Sequence, residues 1–179
     1  MFNFVDYIIA PFRYPDCRAS VTQKIKRYVY KRIKSESAGT VIYRKDNGGV
    51  QFLLIHRGGK YQDWIFPKGR IKEDEGVDNV AKRAAWDEVG LKVELVVTLP
   101  NSGYTFYDDE AKELVDKRAY FFLGKPESYE IKLQHQEGDE SMDFLETRWV
   151  TLEEALSLIK YPQEKRIIKV AEEEVGRVG

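Results

Sequence analysis

Two adjacent carboxylates, Asp87 and Glu88, are the residues of this chain best placed to do chemistry. They fall near the end of a run with helical character, in which positions 84, 87 and 88 are spaced to share one face. Position 84 is alanine. Upstream, Gly69 permits a tight loop whose carbonyl can approach a ligand. Two acids on one helix edge repel each other unless a cation lies between them. Mg²⁺ or Mn²⁺ relieves that repulsion and also binds phosphate oxygens. Basic residues collect around the same stretch: His56, Arg57, Lys60, Lys68, Arg70 and Lys72. Such a rim suits an oligophosphate. Plainer readings stand beside these. Helix carboxylates are most often a solvated edge, and Lys60 and Lys72 suit a solubilising rim. Arg83 is placed to bridge loop and helix through Glu75 or backbone carbonyls, Trp86 to pack, and Glu73 and Asp74 to be solvated. Tyr61, Tyr104, Tyr107 and Tyr161 either stack a base or pack.

The elements that must carry these residues are legible from periodicity. Residues 40–44 and 51–57 read as strands joined through Lys45-Asp46-Asn47-Gly48-Gly49, a hairpin signal because Asn and Gly tolerate positive φ. Trp64-Ile65-Phe66 is a short strand ended by Pro67. Residues 78–89 read as a helix with Gly90 as its stop, and Ala81, Ala85 and Val89 give it an apolar face for a sheet. Residues 92–99, 104–107, 117–123, 129–133 and 147–150 read as strands, with 104–107 and 117–123 paired across an acidic loop. Thr151 caps a helix over 152–160, with Glu154 three residues on. A last helix covers 162–175. Residues 21–33 fit a helix or a strand. Strands, helix, strands and helices in that order predict a mixed sheet between helices.

Hydrophobic residues make up 42% of the 179-residue chain and aromatics 13%, enough for a core and against disorder. Lys+Arg (29) and Asp+Glu (30) nearly cancel, so global charge names no partner. Local charge says more. Residues 24–34 hold six cations and no acid, and residues 137–146 hold five acids and no base. The interleaved Tyr28 and Tyr30 suit either an RNA contact or an amphipathic appendage. The single Cys17 excludes an intramolecular disulfide and fits a reducing compartment, or simply a chain that does not use disulfides. There is no secretory signal at the start and no membrane-length apolar run. A soluble, cytoplasmic protein with no membrane partner is expected.

Gly69, Glu75, Arg83, Glu88, Gly90 and Leu91 fall in register with the Nudix box, Gly-x5-Glu-x7-Arg-Glu-U-x-Glu-Glu-x-Gly-U, where U is bulky and apolar. Asp87 takes the place of the first Glu of the pair, Ala85 sits at the first U, and Ala84 replaces the Glu after Arg. The resemblance extends over residues 37–175, including Ser37-Ala38-Gly39, the approach from Trp64 to Gly69, the strand around 117–122, and Thr147-Arg148-Trp149-Val150 before a helix. It implies an α/β (α+β) Nudix fold, a mixed β-sheet sandwiched between helices, with a basic extension over 1–36 and a hydrolase domain over 37–179. The implied activity is Mg²⁺-dependent (or Mn²⁺-dependent) hydrolysis of a nucleoside diphosphate linked to another moiety.

The same resemblance implies residue roles. Asp87, Glu88 and the Gly69 carbonyl are the expected metal ligands, and Glu75 and Gly90 the structural part of the box. The third carboxylate, expected at position 84, is missing, which impairs the site. That leaves three readings: an engineered inactivation, a natural variant whose remaining acids suffice, or a non-catalytic nucleotide-binding protein. Retention of the other box residues favours the first two. Relatives acting on diadenosine polyphosphates and RNA 5′ ends carry an acid five residues before the Arg of an Arg-Trp pair. Here that is Asp143, with Glu146 and Glu140 as fallbacks, on a loop over 134–145 that also holds His135. The expected catalytic set is then Asp143 and Glu146 with Arg83 and position 84 of the box. Tyr161-Pro162-Gln163-Glu164-Lys165 resembles the region of diadenosine tetraphosphate hydrolases that sets an aromatic and a Lys near the nucleotide. Tyr161 and Lys165 therefore join Arg57, Lys60, Lys68 and Arg70 as expected substrate contacts. A dinucleoside polyphosphate is the favoured substrate. Phe66-Pro67-Lys68-Gly69-Arg70-Ile71 also resembles mRNA-decapping and inositol-pyrophosphate relatives, which makes an RNA 5′ end (cap or triphosphate) the competitor.

Overall fold

The computed structural model describes residues 31–46, 48–59, 61–133 and 144–178. Their elements in chain order are β1 (Arg32–Asp46), β2 (Gly49–Arg57), β3 (Asp63–Ile65), β4 (Lys68–Arg70), α1 (Val77–Val89), β5 (Val93–Asp108), β6 (Glu113–Pro126), β7 (Phe144–Val150), α2 (Leu152–Leu158) and α3 (Pro162–Val178). The chain forms two compact units. The larger comprises Ser37–Ser102 and Ala119–Gly179; the described part of the smaller is residues 31–36 and 103–118.

In the larger unit, strand alternation decides which helix covers which face. The strands form one sheet in the order β3-β2-β1-β6-β5, with β4 pairing β1 and β7 pairing β2. Val41, Phe52 and Leu54 point to one side and pack with Phe121, Leu123, Ala155, Ile167 and Ile168, so α2 and α3 lie there. Ile42, Leu53 and Ile55 point to the other side and pack with Ala85 and Val89 of α1. The expected sheet between helices is therefore what the alternation builds. Each fully buried Leu, Ile or Phe contributes about 1.5–3 kcal/mol, so these two layers carry the fold.

The helix ends follow local chemistry. Helix α1 stops where Gly90 turns left-handed at φ 69°, its N–H donating to the Trp86 carbonyl. A Cβ there would lie 3.0 Å from Lys132 Cβ. Thr151 and Glu154 form a reciprocal capping box at the start of α2. That helix ends at Leu158, two residues short of the expected 160, because Ile159 is extended. The strand expected over 129–133 is not one. Ile131 and Leu133 do pack inward, which explains the alternation. Their backbone, however, meets the end of α1, with the Lys132 N–H donating to the Val89 carbonyl at 3.0 Å. The strands expected over 92–99 and 104–107 are one continuous β5.

The smaller unit bears on the basic stretch. Residues 32 and 33 are in strand β1. Lys31 pairs with Glu113 at 2.9 Å, and the Arg32 guanidinium donates to both oxygens of Asp116. Thr105 donates to the same carboxylate at 2.6 Å. The Asp116 carboxyl is held below its ordinary range, chiefly by Arg32. Lys34, also in β1, adds to the charge that lowers the Asp116 carboxyl, and Lys24, Lys26 and Arg27 lie outside the described residues.

One glycine sits where a side chain does not fit. Gly39 pairs with Lys68 in register. A Cβ at 39 would run into the Pro67 carbonyl oxygen and lie 2.7 Å from Lys68 Cβ. Gly39→Ala is expected to destabilise the protein by about 2–3 kcal/mol, as over-packing at a backbone contact does. Urea denaturation checks this, and an unchanged midpoint would remove the claim.

Candidate active site

The site is built on β4 and the buried edge of α1. Strand β4 follows Pro67 and pairs Gly69 with Ala38 and Lys68 with Gly39. Thr40 adds a second anchor, donating its N–H to the Pro67 carbonyl at 3.0 Å. Helix α1 turns Ala84 and Glu88 toward this strand. An ideal Cβ on Gly69 would lie 3.4 Å from the Ala84 methyl, in ordinary contact. Ala84 is buried, and Glu88 is only 3% exposed.

Glu88 is the unusual group. Its carboxyl accepts the Lys68 N–H at 3.2 Å. Burial pushes its pKa up to about 8, against the opposing pull of the Lys68 charge, the Lys68 hydrogen bond and Arg57. Asp87, one residue earlier, is turned outward. Its side chain is 44% exposed and lies 3.5 Å from Arg83. The two acids of the helix edge thus occupy opposite environments.

Arg83 braces the loop before the helix. It donates to Glu75 at 2.7 and 2.9 Å and to the Arg70 carbonyl at 3.1 Å. Arg83 is also the main cause of the lowered Glu75 carboxyl. Arg70 itself is exposed. Trp86, read as a packing residue, is instead 48% exposed, with the Lys92 ammonium 6.0 Å from its ring.

A second polar layer lies beside Glu88. Arg57 makes a two-pronged ion pair with Asp63 at 2.8 and 2.7 Å. Asp63 is fully buried. Burial alone would raise the Asp63 carboxyl, but the hydrogen bonds and charge of Arg57, the Tyr161 hydroxyl and Lys68 hold it low. Tyr61 lies under Arg57, with the guanidinium 4.2 Å from the ring centre. Tyr161 is 45% exposed, so one edge of this layer opens outward. Lys68 completes it, its ammonium 3.1 Å from Glu164. Lys165, on the next position of α3, is half-buried.

Asp63 and Glu164 were not foreseen from sequence. The only hint was that Arg57 and Lys68, each following an apolar strand run, would need counter-charges if drawn inward. Of the late acids, Glu146 is described: it lies on β7, 3.7 Å from His56 and 3.2 Å from Arg148. His56 stacks on Trp64 with centroids 4.7 Å apart, so it belongs to the sheet surface. Lys60, His135, Glu140 and Asp143 lie outside the described residues.

The residues present suit a divalent cation, with one donor fewer than the box pattern supplies. Glu88 is a carboxylate whose charge is opposed by burial, and an adjacent cation relieves that. Gly69 carries no Cβ, which leaves its strand open toward position 84. Ala84 contributes only a methyl, and no three acidic, His or Cys side chains converge among the described residues.

This strand–loop–helix unit sets a buried carboxylate beside a backbone donor and a lysine in an α+β sandwich. The NUDIX domain model matches residues 34–170, and the chain belongs to the Nudix hydrolase family. It is similar to the asymmetrical bis(5′-nucleosyl)-tetraphosphatase of Caenorhabditis elegans, 26% identical over 72% of this chain and 87% of that protein. It is also similar to the RNA pyrophosphohydrolase of Caulobacter vibrioides, 30% identical over 69% of this chain and 75% of that one. Among solved structures, a C. elegans Ap4A hydrolase binary complex superposes with a TM-score of 0.57, at 22% identity over 78% of this chain and 98% of that one. Nudix hydrolases generally use divalent metals. No helix among the described residues is long and apolar enough to cross a membrane.

Proposed function

We propose that this chain is a Mg²⁺-assisted pyrophosphohydrolase of dinucleoside polyphosphates, weakened by alanine at position 84. The observation that carries the reading is the buried Glu88 carboxyl, held by the Lys68 N–H next to the side-chain-free Gly69. By the box pattern the ion would be held by Glu88, the Gly69 carbonyl and Asp87, which in this structure faces Arg83, and it would supply charge neutralisation at phosphate oxygens and a more acidic water. The chain's own residues do the rest. Lys68 and Arg57 offer positive charge to the phosphate chain. Tyr161, with Tyr61 beneath Arg57, presents aromatic surface for a base. Asp143, with Glu146 and Glu140 as fallbacks, is the base proposed from the late loop, and Lys60, Arg70 and Lys165 are read as part of the basic rim. Residues 1–36 are read as an extension and 37–179 as the hydrolase domain, in a cytoplasmic protein. The start of the family match at residue 34 supports that boundary.

The reading favours dinucleoside polyphosphates over RNA ends for one reason. Lys31 and Arg32, two of the three described cations of the basic stretch, are engaged by Glu113 and Asp116. The test is a panel of diadenosine tetraphosphate, triphosphorylated and capped RNA, and inositol pyrophosphate, each with Mg²⁺. Highest kcat/KM on the dinucleotide supports the proposal. Preference for RNA, with affinity falling steeply in salt, overturns the substrate class. Tight binding with no turnover of any member, by the chain and by Ala84→Glu alike, makes the protein a nucleotide-binding module.

A further inference from the structure

Lys68 touches two carboxylates that belong to different helices. Its backbone N–H donates to Glu88 of α1 at 3.2 Å, and its ammonium meets Glu164 of α3 at 3.1 Å. Glu164 is 7% exposed, and only its Oε1 is engaged. Its Oε2 is buried with no hydrogen-bond partner among the described residues. A buried carboxylate oxygen without a partner costs about 1–3 kcal/mol. Such a group calls for an explanation, among them a functional role or an ion that fills the gap. An acid in the first turn of a helix is ordinarily favourable through the helix dipole. That explains its charge but not its burial against a functional lysine. Around Lys68 lie Glu88 and Asp63, which both feel its charge, and Arg57, which pairs with Asp63, so two cations are shared among three buried carboxyl groups.

We infer that Glu164 is a positioning residue that makes oligophosphate capture by Lys68 conditional on an accompanying divalent cation. Without the cation, an incoming phosphate must displace Glu164 from the ammonium and face that carboxylate's repulsion. With it, the added positive charge offsets Glu164, and Lys68 becomes available to the phosphate at little cost. Anion and cation binding are thereby coupled, and the coupling is reciprocal by linkage. This inference rests on the oligophosphate reading of the site.

The test uses the full chain and a non-hydrolysable probe, the β,γ-methylene analogue of ATP, titrated calorimetrically in EDTA and in saturating Mg²⁺. In EDTA, Glu164→Gln is expected to bind the probe about tenfold more tightly than the parent, a size usual for a close charge pair. In Mg²⁺ the two proteins should differ by less than about threefold, so the gain that Mg²⁺ gives the parent shrinks in the variant. In a Lys68→Met background, Glu164→Gln should no longer improve binding in EDTA. Equal weakening of Glu164→Gln in both conditions would mark a merely structural residue and overturn the inference. So would an improvement that survives Lys68→Met, or no change at all. Probe binding by none of the proteins in either condition would instead sink the oligophosphate reading, and this inference with it. Thermal melts of each variant, run alongside, identify any that fails to fold, and for position 164 Glu164→Asp then serves as the second variant, expected to retain the parent's Mg²⁺ dependence.

Discussion

Ala84→Glu is expected to raise Mg²⁺-dependent hydrolysis of the preferred substrate by about 10²-fold or more, the usual worth of one charged group acting in a transition state. Position 84 lies one helical turn before Glu88 and faces Gly69. A carboxylate there would stand beside Glu88, in the face the box pattern reserves for it. The same substitution should cost stability in the absence of metal. Ala84 is 2% exposed, and two neighbouring buried carboxylates cannot both ionise cheaply. We expect Ala84→Glu to melt below the parent in EDTA and to recover with Mg²⁺, whereas Ala84→Gln should gain neither activity nor metal-dependent recovery. The pairing of these two readouts matters. Activity gained without metal-dependent recovery would mean that residue 84 acts on substrate directly. Recovery without activity would mean a metal site that does no chemistry.

The second large effect is a pH dependence of stability set by Glu88. Its folded-state pKa of about 8 lies above the ordinary 4.5, so between these values the native state holds a proton that the unfolded chain has released. The stabilisation is fully present below about pH 4.5 and is lost as pH rises through about 8. At about 1.4 kcal/mol per unit, the upper bound on the loss is ~5 kcal/mol. Asp63, Glu75 and Asp116 act in the opposite direction. Their carboxyls are depressed, so their contribution is present above their unfolded values and disappears in acid. Stability in EDTA should therefore peak in mildly acidic solution and fall toward pH 9. Urea denaturation across pH measures this. Glu88→Gln, which keeps shape and loses the charge, should flatten the alkaline fall, and Mg²⁺ should flatten it in the parent. A parent protein equally stable at pH 6 and pH 9 in EDTA would dispose of the buried-carboxyl account.

Much of the scaffold was legible because its signals are local. Ala81, Ala85 and Val89 repeat with helical period and are all buried; Gly90 stops that helix in the left-handed conformation it uniquely tolerates. Asp46 pairs with Gly49 as the Asn-Gly signal predicts. What was missed depends on distant partners. Strand β4 has three residues and no pattern of its own; it is a strand only because Ser37–Gly39 lies beside it. The alternation at 129–133 is genuine, yet it packs on a helix end rather than on a strand. Glu164 reads as an ordinary first-turn acid until it meets Lys68, 96 positions earlier. Asp63 sits beside Trp64 in a short apolar strand, and nothing local announces that Arg57 closes on it. The box fixed which helix edge to examine, while the cations and counter-ions behind it emerged only from the packing.

The hold on Glu88 comes from a main-chain donor, and this gives the site an uneven vulnerability to inheritance. Any codon at position 68 except one for proline still supplies that N–H. A lineage can therefore shed Lys68 and still keep Glu88 anchored against the sheet. Side-chain chemistry around the anchor is free to drift while the anchor itself persists.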